Sequence, residues 1–209
     1  MKTCCNLFIF VFLFCLSTNL SAQFGIRAGV NFANLSIDNK SENFDPGNKL
    51  GLGVGVFYKL SILDNFMIQP EFNFIQHGAK SVTKINGIEA TNTFGFNYVQ
   101  VPVLLKFGFG DMVGLNFYVQ GGPYIGIGIG NAKSEYCYNG KCDLDESNYG
   151  DEEDEIKNPD FGAQMGAGLM LNRHFFFDFR YILGMQILQR EDEMTVKHNG
   201  INLSVGYAF

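Results

Sequence analysis

The sequence predicts an all-β fold, an eight-stranded antiparallel up-and-down transmembrane β-barrel. Three observations carry that prediction. Apolar residues recur at every second position through most of the chain, the period of a strand rather than a helix. The opposite face is mainly glycine with scattered Gln, Asn, Tyr and a few charges. Glycine weakens a strand exposed to water but leaves room inside a narrow barrel. Long polar connections also alternate with short ones, the rhythm of long outer loops and tight periplasmic turns.

The chain has 209 residues, and its first segment reads as an address. Residues 1–22 carry Lys2, an apolar run from Leu7 to Leu16 and Ala22 before the expected cut, the layout of a cleaved secretory signal. The run is shorter than the ~20 apolar residues a spanning helix needs. Residues 23–209 are then the barrel domain.

Its first strand sets Phe24, Ile26, Ala28, Val30 and Phe32 against Gly25, Arg27, Gly29 and Asn31. The second sets Leu50, Leu52, Val54, Val56 and Tyr58 against Gly51, Gly53, Gly55, Phe57 and Lys59. In the third, Phe66, Ile68, Phe72 and Phe74 oppose Gln69, Glu71 and Asn73. In the fourth, Val99 through Phe107 at alternate positions oppose Gln100, Leu104 and Lys106. The fifth places Phe117, Val119, Ile125, Ile127 and Ile129 opposite Asn116, Tyr118, Gln120 and Tyr124 with three glycines. The sixth runs from Phe161 to Leu171, with Gly162, Gln164, Gly166 and Gly168 on its other face. Phe175, Phe177, Phe179, Tyr181 and Leu183 make the seventh, opposite Asp178, Arg180 and Gly184. The eighth sets Ile201, Leu203, Val205, Tyr207 and Phe209 against Asn202, Ser204, Gly206 and Ala208. Connections at 34–49, 77–93, 130–159 and 188–197 read as long loops, and those at 61–65, 108–114 and 172–174 as short ones.

The face free of charge suits hydrocarbon, because a lipid-facing surface must exclude charge. A soluble barrel would point its large apolar residues inward. The lumen then holds Arg27, Lys59, Lys106 and Arg180 with Glu71 and Asp178, which should pair, since unpaired buried charge is costly. That predicts a plug of salt bridges. A narrow channel for small solutes or anions is the alternative, motivated by the excess of cations. Pro70, Pro102 and Pro123 lie inside strand patterns, and local bulges are the expected remedy for their missing N–H groups.

Tyr98-Val-Gln-Val-Pro-Val-Leu-Leu-Lys106 resembles the fourth-strand signature of the outer-membrane β-barrel domain family described as porin-like or PorT-like. Gln120-Gly-Gly-Pro-Tyr124 is similar to that family's next strand, and Asp178-Phe-Arg-Tyr181 to its penultimate one. The resemblance covers the chain after the signal. It implies an eight-stranded barrel of the OmpA membrane-domain type, without an assigned ligand.

The C-terminus matches the ending common among such barrels at Asn202, Tyr207 and Phe209, with Ser204 where Gly is usual. Tyr207 and Phe209 are therefore the expected signal to the barrel-assembly machinery. The expected location is the outer membrane of a Gram-negative bacterium, with membrane lipids and lipopolysaccharide as neighbours.

Chemistry is sparse. A formal charge of −6 excludes nucleic acid, which needs a basic stripe. His77, His174 and His198 fall at expected strand ends or turns, with Asp192 near His198 in sequence. No nucleophile motif accompanies them, so neither an enzyme nor a cofactor is expected. Gly126-Ile-Gly128-Ile-Gly130 is strand alternation rather than a dinucleotide loop. Once the signal leaves, only Cys137 and Cys142 remain, flanking a turn-forming stretch in an exported chain, which predicts a small-loop disulfide. The segment 131–158 carries nine acids and three bases, and reads as a solvated charge run. Asp143, Asp145 and Asp151 are weak candidates for calcium, since the sharp-turn Gly of a calcium loop is replaced by Asn148.

Overall fold

The computed structural model describes residues 22–38, 47–85, 87–112, 114–150, 156–185, 189–191 and 194–209. The expected signal peptide before Ala22 lies outside the described residues, as do Asp151 and Asp192. Thirteen strands follow in order. They are β1 (Ala22–Asp38), β2 (Gly47–Leu63), β3 (Phe66–Ile85), β4 (Ile88–Met112), β5 (Leu115–Gly128), β6 (Ala132–Tyr138) and β7 (Lys141–Ser147). After them come β8 (Tyr149–Gly150), β9 (Ile156–Lys157), β10 (Asp160–Leu171), β11 (Phe175–Gly184), β12 (Gln189–Glu191) and β13 (Met194–Ala208).

Eight of these close a ring. Each of β1–β5 pairs antiparallel with the next, β5 pairs with β10, β10 with β11, β11 with β13, and β13 returns to β1. No free edge is left in the ring, as spanning a bilayer with strands requires.

Outward positions carry the predicted apolar rows: Leu50 through Tyr58, Val101 through Phe109 and Phe175 through Tyr181 are all exposed and uncharged. Inward positions carry glycine, and several large aromatics face one. Directly across the ladder, Phe57 opposes Gly25, Tyr98 opposes Gly128, Tyr118 opposes Gly168, Tyr124 opposes Gly162 and Phe176 opposes Gly206. A Cβ on Gly168 would sit 2.5 Å from the Tyr118 ring, and one on Gly206 2.1 Å from Phe176. The rings lie flat over bare backbone, which fills a lumen only wide enough for side chains.

The strands run further than the sequence reading placed them. β3 has 20 residues and β4 has 25, where ~9–11 suffice to cross a bilayer. The stretch 77–93 expected as a loop is instead a continuous ladder from Asn73 opposite Gln100 to Ile85 opposite Ile88. Val82, Thr83, Ile85, Ile88, Thr91 and Thr93 favour strand, and the turn sits at an Asn-Gly pair, with Gly87 at φ 81°. The expected loop 130–159 likewise contains the β6–β7 hairpin, which turns at Asn139-Gly140 and pairs with Ala90–Gly95 of β4. β1 runs to Asp38, into the expected loop 34–49, and β13 begins at Met194, inside the expected loop 188–197.

The prolines are accommodated without the expected bulges. Pairing of β3 with β4 stops at Pro70 opposite Val103 and resumes at Asn73 opposite Gln100 in the same register. Pairing of β4 with β5 pauses after Pro102 opposite Tyr124 and resumes at Leu105 opposite Gly121, again unshifted. Pro123 keeps its place opposite Ala163. Each proline loses a single donor while the ladder on both sides fixes the register. The register shifts lie elsewhere, at Asn48/Gly53, Ser61/Leu63 and Phe109/Asp111.

Candidate functional site: the barrel lumen

Two polar layers fill the lumen. The central one is built on Glu71 of β3, whose side chain is wholly buried. Its carboxylate accepts from Arg27 Nη1 at 2.8 Å, from Arg180 Nη1 and Nη2 at 2.8 and 2.9 Å, from Gln69 at 2.6 Å and from Asn73 at 2.8 Å. Arg180 also donates to Asp178 at 2.6 Å, and Arg27 donates to Asn202 at 2.9 Å and Ser204 at 2.6 Å. Asp178 accepts further from Gln120 at 2.9 Å and from the Tyr118 hydroxyl. Period two explains the assembly: Gln69, Glu71 and Asn73 share the inner face of one strand, Asp178 and Arg180 that of another.

Of the six side chains predicted to form the lumen network, Arg27, Glu71, Asp178 and Arg180 meet here. Lys106 lies beside them without an ion pair among the described residues; its ammonium stands 4.3 Å above the Tyr118 ring and 5.5 Å from that of Phe176. Lys59 departs from the expectation. It sits toward the tight-turn end, with only the Met170 sulfur at 4.0 Å, because its position on β2 is two residues nearer the turn than Phe57, whose ring separates it from the network.

The second layer lies toward the long-hairpin end and overturns the reading of the histidines. His77 and His198 are not solvated turn residues; they are 1% and 0% exposed. Their rings stand 4.4 Å apart among Phe96 and Tyr98. His198 Nε2 meets Asp160 Oδ2 at 2.8 Å. The Tyr124 hydroxyl also lies 3.1 Å from Nε2, and Gln100 contacts His77 Nε2 at 3.2 Å. Asp160 and Tyr124 were not singled out as partners of His198. They come from β10 and β5, neither of which pairs with β13, so only closure of the ring brings them together. The Asn-Gly turns were the signal that could have moved His77 inside a strand. Among the described residues, no Ser, Thr or Cys hydrogen-bonds either ring.

A lid closes this end. Tyr149 of β8 lies over Gly128, packs edge-on against Tyr98 and donates to the Asn97 carbonyl at 3.2 Å. Outside it, Cys137 and Cys142 face each other across β6 and β7 and are bonded to one another. Hydrogen bonds from Asn131 and then Lys133 hold the exposed Glu146 carboxyl below its ordinary value. Asp143 and Asp145 stand on β7, an extended strand rather than a curved calcium loop. Among the described residues the metal-ligand grouping is Glu135 with Cys137 and Cys142, whose sulfurs the disulfide consumes.

At the other end, Phe209 stacks on Phe24 at 6.1 Å and donates its backbone N–H to the Phe24 carbonyl at 2.8 Å. Tyr207 packs on His174 and Phe175. The predicted assembly signal thus also forms part of the aromatic rim at the barrel seam.

A closed ring of eight strands with an apolar exterior and a polar interior defines an outer-membrane β-barrel. The chain belongs to the outer membrane protein beta-barrel domain family, whose pattern it matches over residues 17–188. No curated protein sequence matches it. Among solved structures it is similar to the attachment invasion locus protein Ail of Yersinia pestis, solved with the heparin analogue sucrose octasulfate. That pair shares 17% identity over 90% of this chain and 99% of the other, with a TM-score of 0.43. Neisserial surface protein A shares 11% identity over 90% of this chain and 99% of its own, with a TM-score of 0.47. Outer membrane protein W of E. coli shares 16% identity over 92% and 100%, with a TM-score of 0.41.

Proposed function

We propose that this chain is a non-conducting outer-membrane barrel with a structural or interaction role in the envelope of a Gram-negative bacterium, exported by a cleaved signal and not an enzyme. The observation that carries the reading is the Arg27–Glu71–Arg180–Asp178 network. It joins three ring strands, β1, β3 and β11, through buried charged groups in the middle of the lumen, which supports a plug rather than a path for ions. The long hairpins support the interaction role: β3, β4, β6 and β7 form one sheet that projects past the ring and ends in the fully exposed β7. Lipopolysaccharide is the proposed neighbour of that projection. The barrel-assembly machinery is the proposed reader of Tyr207 and Phe209, and deleting Phe209 should deplete the protein from the outer membrane.

The test is single-channel recording of the refolded protein in planar bilayers. No conductance steps are expected. Reproducible steps would establish the competing reading, a narrow channel for small anions.

A further inference from the structure

The tight-turn end holds a blind vestibule of about 750 Å³, within the usual range of small-molecule sites. Its walls are partly apolar, with Met67 and Met170 among them, and Tyr118 lies at its inner end. Among the described side chains, three cations line it, Lys59, Lys106 and Arg173, with one carboxylate, Asp64 in the β2–β3 turn.

The ammonium groups are built in rather than scattered on a surface. Lys106 is 1% exposed and Lys59 6% exposed. Among the described residues, neither has a carboxylate oxygen within 4.0 Å. Lys106 donates no hydrogen bond to a described group, and Lys59 reaches only a thioether sulfur. An ammonium carries three donors and no acceptor, and burying one without partners costs free energy. The other buried cations among the described lumen residues, Arg27 and Arg180, are ion-paired with Glu71 or Asp178. What Lys59 and Lys106 share is that both face this cavity.

We infer that the periplasmic vestibule is a binding site for a small amphipathic anion, a phosphate or carboxylate head on an apolar body. Lys59 and Lys106 take the head by charge-assisted hydrogen bonds, Arg173 attracts it at the rim, and the methionine wall covers the body. The site lies on the periplasmic side of the plug, so the inference holds whether or not the lumen conducts.

The test uses the full barrel in zwitterionic-lipid nanodiscs, with methionine methyl groups labelled with carbon-13 for NMR. Hexyl phosphate is the probe and hexanol its neutral control. Saturable shifts of the Met67 and Met170 methyls are expected with hexyl phosphate and not with hexanol, while lipid-facing Met165 stays still. Lys59→Gln should weaken binding at least ~10-fold, as loss of a charge-assisted contact does, and Lys106→Gln more. If Lys106→Gln fails to fold, Lys59→Gln at the mouth carries the test alone. Unmoved methyls, equal shifts with hexanol, or unchanged affinity in Lys59→Gln would overturn the site. Repeating the spectra with anionic lipid in the disc separates the sources. Shifts without added probe assign the head to a lipid, and unchanged spectra assign it to a periplasmic solute.

Discussion

Replacing Glu71 with Ala should be among the most damaging single changes in this protein. The substitution removes the acceptor of five hydrogen bonds, three of them from arginines on other strands, at a side chain with no solvent exposure. Arg180 keeps Asp178 at 2.6 Å, but Arg27 retains only the neutral Asn202 and Ser204. One guanidinium is then buried without a counter-charge. Removing one partner from a buried ion pair costs about 3–5 kcal/mol, and the three neutral or second-arginine donors left unfilled push the value to the upper end.

The chain has no Trp, so unfolding in urea is best followed by far-ultraviolet circular dichroism and by heat-modifiable gel mobility, in phospholipid vesicles. A loss under about 1 kcal/mol, the worth of one ordinary hydrogen bond, would show that water reaches the network and that burial was misjudged. A second variant separates charge from volume. Arg27→Met and Glu71→Leu together replace one buried pair by apolar side chains and keep Arg180 on Asp178, and such replacements are often neutral. The double variant should therefore be more stable than Glu71→Ala. A double variant equally destabilised would mean that shape, not charge, is what Glu71 supplies.

Gly166→Ala places a Cβ 2.0 Å from the Phe179 carbonyl and should cost about 1–3 kcal/mol in the same assay by overpacking. Gly121→Ala, whose nearest atom would be 3.5 Å away, should be neutral or mildly stabilising. Leu203→Arg introduces a cation midway along β13 on the apolar exterior and should cost about 2–4 kcal/mol in vesicles; a neutral result would place that face out of the hydrocarbon. Asn172 and Arg173 both hold positive φ, 50° and 63°, in the β10–β11 turn. Arg173→Gly should therefore raise stability by about 0.5–1 kcal/mol, read as an increase in the urea midpoint.

The inward and outward faces of all eight ring strands were legible in the sequence, because a period of two survives any uncertainty about where a strand ends. Four of the six predicted lumen charges join one network for the same reason: face is a local property. What was not legible depended on height along the barrel. Lys59 and Arg27 share the lumen, yet Phe57 and two residues of rise separate them by function. His77 and His198 were misread because the strand ends were set too early, and polar residues such as Lys80, Ser81 and Lys84 masked the ladder that continues to the Asn-Gly turn at Gly87. Asp160 could not have been matched to His198 at all without knowing which strands close the ring.

The plug and the vestibule follow from one rule of packing. Phe57, Tyr118, Tyr124 and Phe176 lie over glycines of the neighbouring strands, and those pairs set where the lumen is thick and where it is thin. Phe57 on Gly25 and Phe176 on Gly206 meet edge-to-face at 5.3 Å and wall the charged layer off from the tight-turn end. Beyond them the inner positions revert to residues that do not meet across the axis, and a cavity opens. Arg27 and Arg180 beyond that partition find carboxylates; Lys59 on the near side, and Lys106 between the Tyr118 and Phe176 rings, have none within 4.0 Å among the described residues. The same partition that lets Glu71 neutralise two arginines without a leak therefore leaves two ammonium groups for a ligand, and widening it should couple the two regions. Phe176→Ala is the decisive change: if the partition is real, it should lower the stability of the network and weaken hexyl phosphate binding together, whereas loss of stability with unaltered binding would separate the vestibule from the wall that is argued to create it.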